Sequence, residues 1–232
     1  MSDGSKMFAL SETRIGEKYI LGAPVPKNNS NWHGPWDCAE FTSWLVYQIG
    51  QVLYGCTDNN SHPASADDYT GAWQNDSQSL GIRIPISQAA QIRGAFVLRY
   101  PPGSGKTGHI AISDGKGGTV EAMGKNYGVR RGKIAGRVWD VGVLIPDFTY
   151  DTPTGFVMKE KTVLVFKLGA TGKAVEKIQK ALAAAGFDPG PIDKEYGPMT
   201  AAAVGAYQAA KGLIVDGQVG PNTAKKLKID LT

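Results

Sequence analysis

The sequence predicts an α+β domain, a helix packed on an antiparallel sheet, followed by a small all-α domain of three helices. Three observations carry this reading. A long helical apolar period comes early, four short glycine-punctuated strand patterns follow it, and beyond a proline-containing connector the composition turns to Ala, Lys and Gly. The boundaries read as residues 1–150 for the first domain, 151–162 for a linker and 163–232 for the second domain.

The early helix is "CAEFTSWLVYQIG", which sets Phe41, Trp44, Leu45 and Ile49 on one face and which Gly50 can end. Asp37 and Glu40 form a D-x-x-E capping box, so the first helical residue is Cys38. The strands are "GAFVLRY" (94–100), "GHIAISDG" (108–115), "GTVEAMG" (118–124) and "RVWDVGVLIP" (137–146), short and rich in β-branched residues. "PDFTYDTPTGFVMKEK" then reads as a connector. In the second domain "DKEYGPMT" and "DGQVGPNT" echo one another, each placing Gly-Pro four and five positions after Asp and Thr at the seventh. Proline suits the first helical position, where its missing N–H is not needed. With "GKAVEKIQKALAAAGF" these give three short helices.

The chain's 232 residues are 42% hydrophobic and 20% charged, ordinary for a globular protein with a core. The net charge of +4 is dispersed, so nothing demands nucleic acid, and no apolar run approaches the ~20 residues that span a bilayer. Two cysteines make no disulfide framework, and Cys56 reads as a structural thiol.

Cys38 sits differently. At the start of a helix, a thiol meets the positive end of the macrodipole and is expected to ionise more readily, and the thiolate is the attacking form. The alternative is a packing cysteine that begins a helix. A cysteine nucleophile needs a base, and there are three histidines. His62 lies in a polar loop and His33 in turn sequence, whereas His109 opens a strand that would hold its ring in one orientation. A strand-end histidine satisfied by a carbonyl is the alternative there. If "TVEAMG" returns beside "HIAIS" as a hairpin, Glu121 falls on the neighbouring strand, pointing either to water or into the site.

The motifs "DCAEF", "GHIAI" and "VEA", with "IGEKYILGAPVP" upstream, resemble the papain-like bacterial cell-wall peptidases of the NlpC type and the related CHAP amidase/peptidase group over about residues 11–146. The resemblance implies a papain-like first domain with Cys38 as nucleophile, His109 as base and Glu121 as third residue. It also implies that Tyr19 stands beside the site as an oxyanion donor. This chain departs from the pattern in having Ala39-Glu40 where Ser-Gly is usual, which adds a charge near the cleft, and Gly94-Ala95 where Gly-Asp is usual. Glutamate as third residue is closer to the CHAP habit. The second half resembles the three-helix peptidoglycan-binding module almost throughout.

Together the two halves imply a peptidoglycan hydrolase that cuts an amide in or next to the stem peptide and is tethered to the wall, with no cofactor and no metal. The non-enzymatic rival is an inactive wall-binding protein. The expected partner is peptidoglycan, with neither nucleic acid nor membrane, and the chain is expected to be a monomer; were it a toxin, an inhibitor or immunity protein would accompany it. The start of the sequence lacks the signature of a signal peptide, so action in the periplasm or wall implies delivery by phage lysis or a secretion system. One motif points elsewhere. "YPPGSGKTGH" nearly spells a phosphate-binding loop, but its first glycine is Tyr100, and a strand rather than a helix follows, so it reads as a hairpin loop beside His109.

Overall fold

A computed structural model describes residues 1–103, 106–154, 156, 165–213 and 215–229. The chain divides into two compact units, Met1–Lys161 and Thr162–Thr232. Most of the residues read as a linker lie outside the described set. Of those that do not, Asp151 accepts hydrogen bonds from Ser2 Oγ and Ser5 Oγ, both at 2.7 Å, and Phe156 packs on the first unit.

The first unit is α+β. Its elements are α1 (Asp3–Glu12), α2 (Cys38–Gly50), α3 (Thr70–Ser79), β1 (Ile82–Ile84), α4 (Ile86–Ala89), β2 (Arg93–Arg99), β3 (His109–Asp114), β4 (Gly118–Gly124), β5 (Gly128–Lys133) and β6 (Val141–Leu144). The strands form one sheet in the order β1-β6-β2-β3-β4-β5, antiparallel throughout. The four expected strands are β2, β3, β4 and β6. β1 and β5 were not expected: β1 has three residues, and β5 is the basic, glycine-flanked "GVRRGK", whose period is too weak to register.

The two faces of the sheet bury different cores. Phe96, Leu98, Ile110, Ile112, Val120 and Val143 meet α1 and α2 on one face, through Met7, Phe8, Phe41, Trp44 and Leu45. Ala95, Val97, Ala111 and Leu144 meet Ile84, Ala89, Ile92 and Ile134 on the other. This alternation is the period-2 geometry of a strand buried on both sides. Helix α2 begins at Cys38 as expected, because the Asp37 side chain accepts from Glu40 N at 2.8 Å and satisfies an orphan donor of the first turn. Its residues Cys38 to Val46 are all buried, so it is a core helix rather than a one-faced one.

The reciprocal half of the capping box is replaced. Glu40 turns inward and forms ion pairs with Lys27, which in turn pairs with Asp68, and its other oxygen accepts from Asp68 N at 3.1 Å. The charge expected near the cleft is therefore buried beneath the helix, because a lysine that is itself fully buried needs carboxylate partners.

The second unit has three helices, α5 (Lys173–Ala184), α6 (Pro198–Ala210) and α7 (Pro221–Leu227), around Val175, Ile178, Leu182, Val204, Tyr207 and Val219. The sequence echo has a physical basis: each copy is a loop clamped by one buried glutamine. Gln179 Nε2 donates to Asp193 Oδ1 (2.9 Å) and Glu195 O (3.0 Å), while its Oε1 accepts from Lys194 N (3.1 Å). Gln208 repeats this with Asp216 Oδ1 (2.7 Å), Gln218 O (2.8 Å) and Gly217 N (2.9 Å). One amide thus satisfies the inward-facing groups of a loop that no ladder can serve.

Candidate active site

His109 is the first residue of β3 and Glu121 lies in the middle of β4. The register Ile112↔Val120 and Ser113↔Thr119 puts Glu121 on the same sheet face as Ala111 and His109, diagonal to the histidine. His109 Nε2 and Glu121 Oε2 are 2.6 Å apart. Both residues are buried, Glu121 completely, so of the two orientations open to Glu121 it takes the inward one.

Two further side chains hold the carboxylate with three hydrogen bonds. Arg137 donates from Nη1 to Oε1 (2.7 Å) and from Nη2 to Oε2 (2.9 Å), and Thr119 Oγ1 donates to Oε1 (2.6 Å). Burial would push the carboxyl up, but hydrogen bonds from His109, Arg137 and Thr119 outweigh it and hold Glu121 at about 2. An ionised carboxylate has no proton to give, so Nε2 carries the hydrogen and Nδ1 is left as the basic nitrogen.

The thiol approaches from the helix side. The backbone N–H groups of Ile110, the residue after His109, of Ala39 and of Cys38 itself all favour the charged form of the Cys38 sulfur. Ile110 pairs with Leu98 of β2, one residue along β3 from His109. The expected ease of ionisation does not hold for the resting thiol. Burial, with the charge of Asp37 beside it, pushes the group up to about 12, and the N–H groups of the helix start recover only part of that. Desolvation here exceeds the pull of the helix N-terminus.

Tyr19 stands beside Cys38. It bridges to Trp36 in parallel fashion and is half-buried; burial, then the charges of Cys38 and Asp37, push its hydroxyl up. Asp37 ties the two segments together, accepting from Gly22 N at 2.9 Å while it caps α2. Of the four expected residues, His109 and Glu121 are hydrogen-bonded to each other, and Tyr19 feels the charge of Cys38. The other two histidines are elsewhere. His33 is exposed and bonded to Glu17 Oε1 (2.8 Å) and Arg14 Nη1 (2.8 Å), and exposed His62 accepts from Ala64 N (3.2 Å). Cys56 is buried on Asp68.

Sequence reasoning missed Arg137, Thr119, Trp139 and Gly132. Trp139 tilts against the His109 ring with centroids 5.8 Å apart, and Arg137 lies over the same indole at 4.6 Å. A Cβ on Gly132 would collide with Glu121 Oε1 and Thr119 Oγ1. Of these only Thr119, two positions before Glu121 on one strand face, had a readable signal. β2 and β3 pair as far as Arg99↔His109, so 100–108 connects them; Ser104 and Gly105 of the near-phosphate-loop motif lie outside the described residues. Among the described residues no group of three or more His, Cys, Asp or Glu is arranged to hold a metal ion, and no helix is long and apolar enough to cross a membrane.

Comparison with known proteins gives matches to several cell-wall proteins. The chain is 41% identical over 86 residues to the N-acetylmuramoyl-L-alanine amidase CwlL of Bacillus licheniformis, covering 34% of this chain and 22% of that protein. It therefore spans about a fifth of that curated relative's length. Among solved structures it is similar to the NlpC/p60 domain of the peptidoglycan hydrolase SagA, with 23% identity, a TM-score of 0.43, and coverage of 61% of this chain and 98% of that one. It is also similar to the P60 domain of an M. avium subspecies paratuberculosis antigen, with 20% identity, a TM-score of 0.40, and coverage of 60% and 94%. A Burkholderia AP3 phage endolysin shares 42% identity over 28% of this chain and 24% of its own, with a TM-score of 0.27. Residues 171–227 match the family model described as a putative peptidoglycan binding domain.

Proposed function

We propose that the chain is a peptidoglycan hydrolase that cleaves an amide bond in or next to the stem peptide. Cys38 is the nucleophile, His109 the acid and base, and Glu121 the group that orients the imidazole; the C-terminal unit keeps the enzyme on the wall. The observation that carries this reading is the 2.6 Å hydrogen bond between His109 Nε2 and Glu121 Oε2, one residue along the chain from the Ile110 N–H that favours the Cys38 thiolate.

The chemistry follows from the protonation states. Because burial keeps the resting thiol protonated, its proton moves to His109 Nδ1 as the sulfur closes on the substrate carbonyl carbon. The imidazolium so formed is stabilised by the Glu121 carboxylate, already ionised. The oxyanion meets the Cys38 backbone N–H at the start of α2, with the Tyr19 hydroxyl as side-chain donor. His109 then protonates the leaving amine, and water, deprotonated by the same nitrogen, releases the acyl group and regenerates the thiol. No resident cofactor takes part in this scheme.

The test is loss of turbidity of purified walls. Cys38→Ala should abolish clearing while co-sedimentation with walls persists. Equal clearing by both proteins would refute the reading, and clearing by neither would favour the rival, an inactive wall-binding protein. Mass analysis of the released fragments then names the bond: sugar-free whole peptides for an amidase, shortened stems for an endopeptidase.

A further inference from the structure

Arg137 lies between β5 and β6, and its side chain is the one cation in contact with Glu121 among the described residues. A carboxylate held by an imidazole alone can rotate about its last bond, and the imidazole turns with it. The two-pronged guanidinium removes that freedom, since each prong fixes one oxygen. Oε2 is then shared between Arg137 and His109, and Oε1 between Arg137 and Thr119. The guanidinium is braced in turn. It lies over the Trp139 indole, whose Nε1 donates to Ile134 O at 3.2 Å, and that indole covers the His109 ring. Gly132 leaves the carboxylate no spare room on its remaining side, because even a Cβ there would strike Oε1.

We propose that Arg137 is a positioning residue of the hydrolytic site: by forking onto Glu121 and stacking on Trp139 it fixes the lone pair that receives His109 Nε2–H, and so aims Nδ1 at the thiol. The proposal rests on the hydrolase reading above. Arg137 touches neither the sulfur nor, in this scheme, the substrate, so its loss should fall on kcat rather than on KM. It also keeps the carboxylate ionised, so its loss should narrow activity on the acid side.

The test uses the full chain as wild type, Arg137→Lys, Arg137→Met and Cys38→Ala, with two readouts. In proton NMR, the downfield His109 Nε2–H resonance, assigned by its absence in His109→Ala, should be lost or shifted in Arg137→Met and partly kept in Arg137→Lys. On purified walls Arg137→Met should lower kcat about tenfold to a hundredfold with KM within about twofold, and Arg137→Lys should recover part of it. The acid limb of the pH profile should move to higher pH in Arg137→Met. An unaltered resonance in Arg137→Met overturns the proposal whether or not walls are cut, and so does an altered resonance with wild-type kcat and pH profile. Equal turnover by wild type and Cys38→Ala instead overturns the hydrolase reading, and the resonance still decides whether Arg137 grips Glu121.

Discussion

At Glu121 a single, fully buried side chain accepts four hydrogen bonds, and its ionisation is coupled to folding. Its carboxyl is held at about 2 against 4.5 for a free group, so its contribution to stability is present above pH 4.5 and is lost as pH falls from there toward 2. That contribution is about 3 kcal/mol, and Glu121→Gln should flatten the acid limb of a stability-versus-pH curve measured by denaturant unfolding. Gly132→Ala should act on the same carboxylate from the other side, costing activity out of proportion to any fall in Tm, because its methyl group would displace Oε1. The cap before Cys38 and the strand after Gly108 were legible in the sequence. The support around them was not. Arg137 and Trp139 reach Glu121 and His109 through a bend, and no spacing rule links a bend residue to a strand sixteen positions earlier.

At the scale of elements, α2 is legible because its apolar period and its cap agree. Helix α1 is not, since "DGSKMFALSE" is half polar and earns its place through Met7 and Phe8 and through ties to Thr149 and Asp151. The cluster beneath α2 was also hidden, because Lys27, Glu40 and Asp68 come from three separate segments. Burial alone would lower Lys27, but Asp68 and Glu40 outweigh it and push it up; burial pushes both carboxyls up as well. Removing the cation leaves two buried acids facing one another, so Lys27→Met should cost about 3–5 kcal/mol in urea unfolding. Protonation relieves that repulsion, so the gap in Tm between wild type and Lys27→Met should narrow as the pH is lowered. The repeat in the second unit was visible as letters, whereas the glutamines that explain it, Gln179 and Gln208, stand outside the repeated octets.

At the scale of the whole chain, two units of different composition each bury their own core, Trp- and Phe-rich in one and Ala-, Val- and Tyr-rich in the other. If the second serves only to hold the first on its substrate, residues 1–161 alone should cut soluble stem-peptide fragments at the full chain's rate within about twofold. On intact walls the same truncation should clear about a hundredfold more slowly, the loss of local concentration that a tether supplies. Residual binding of 1–161 equal to that of the full chain would contradict this division of labour.

An enclosed sulfur that keeps its proton is also a poor target for oxidants, which react with the anion. Brief peroxide treatment should therefore convert the thioether of half-exposed Met199 to its sulfoxide while Cys38, only 7% exposed, survives intact in a peptide mass map.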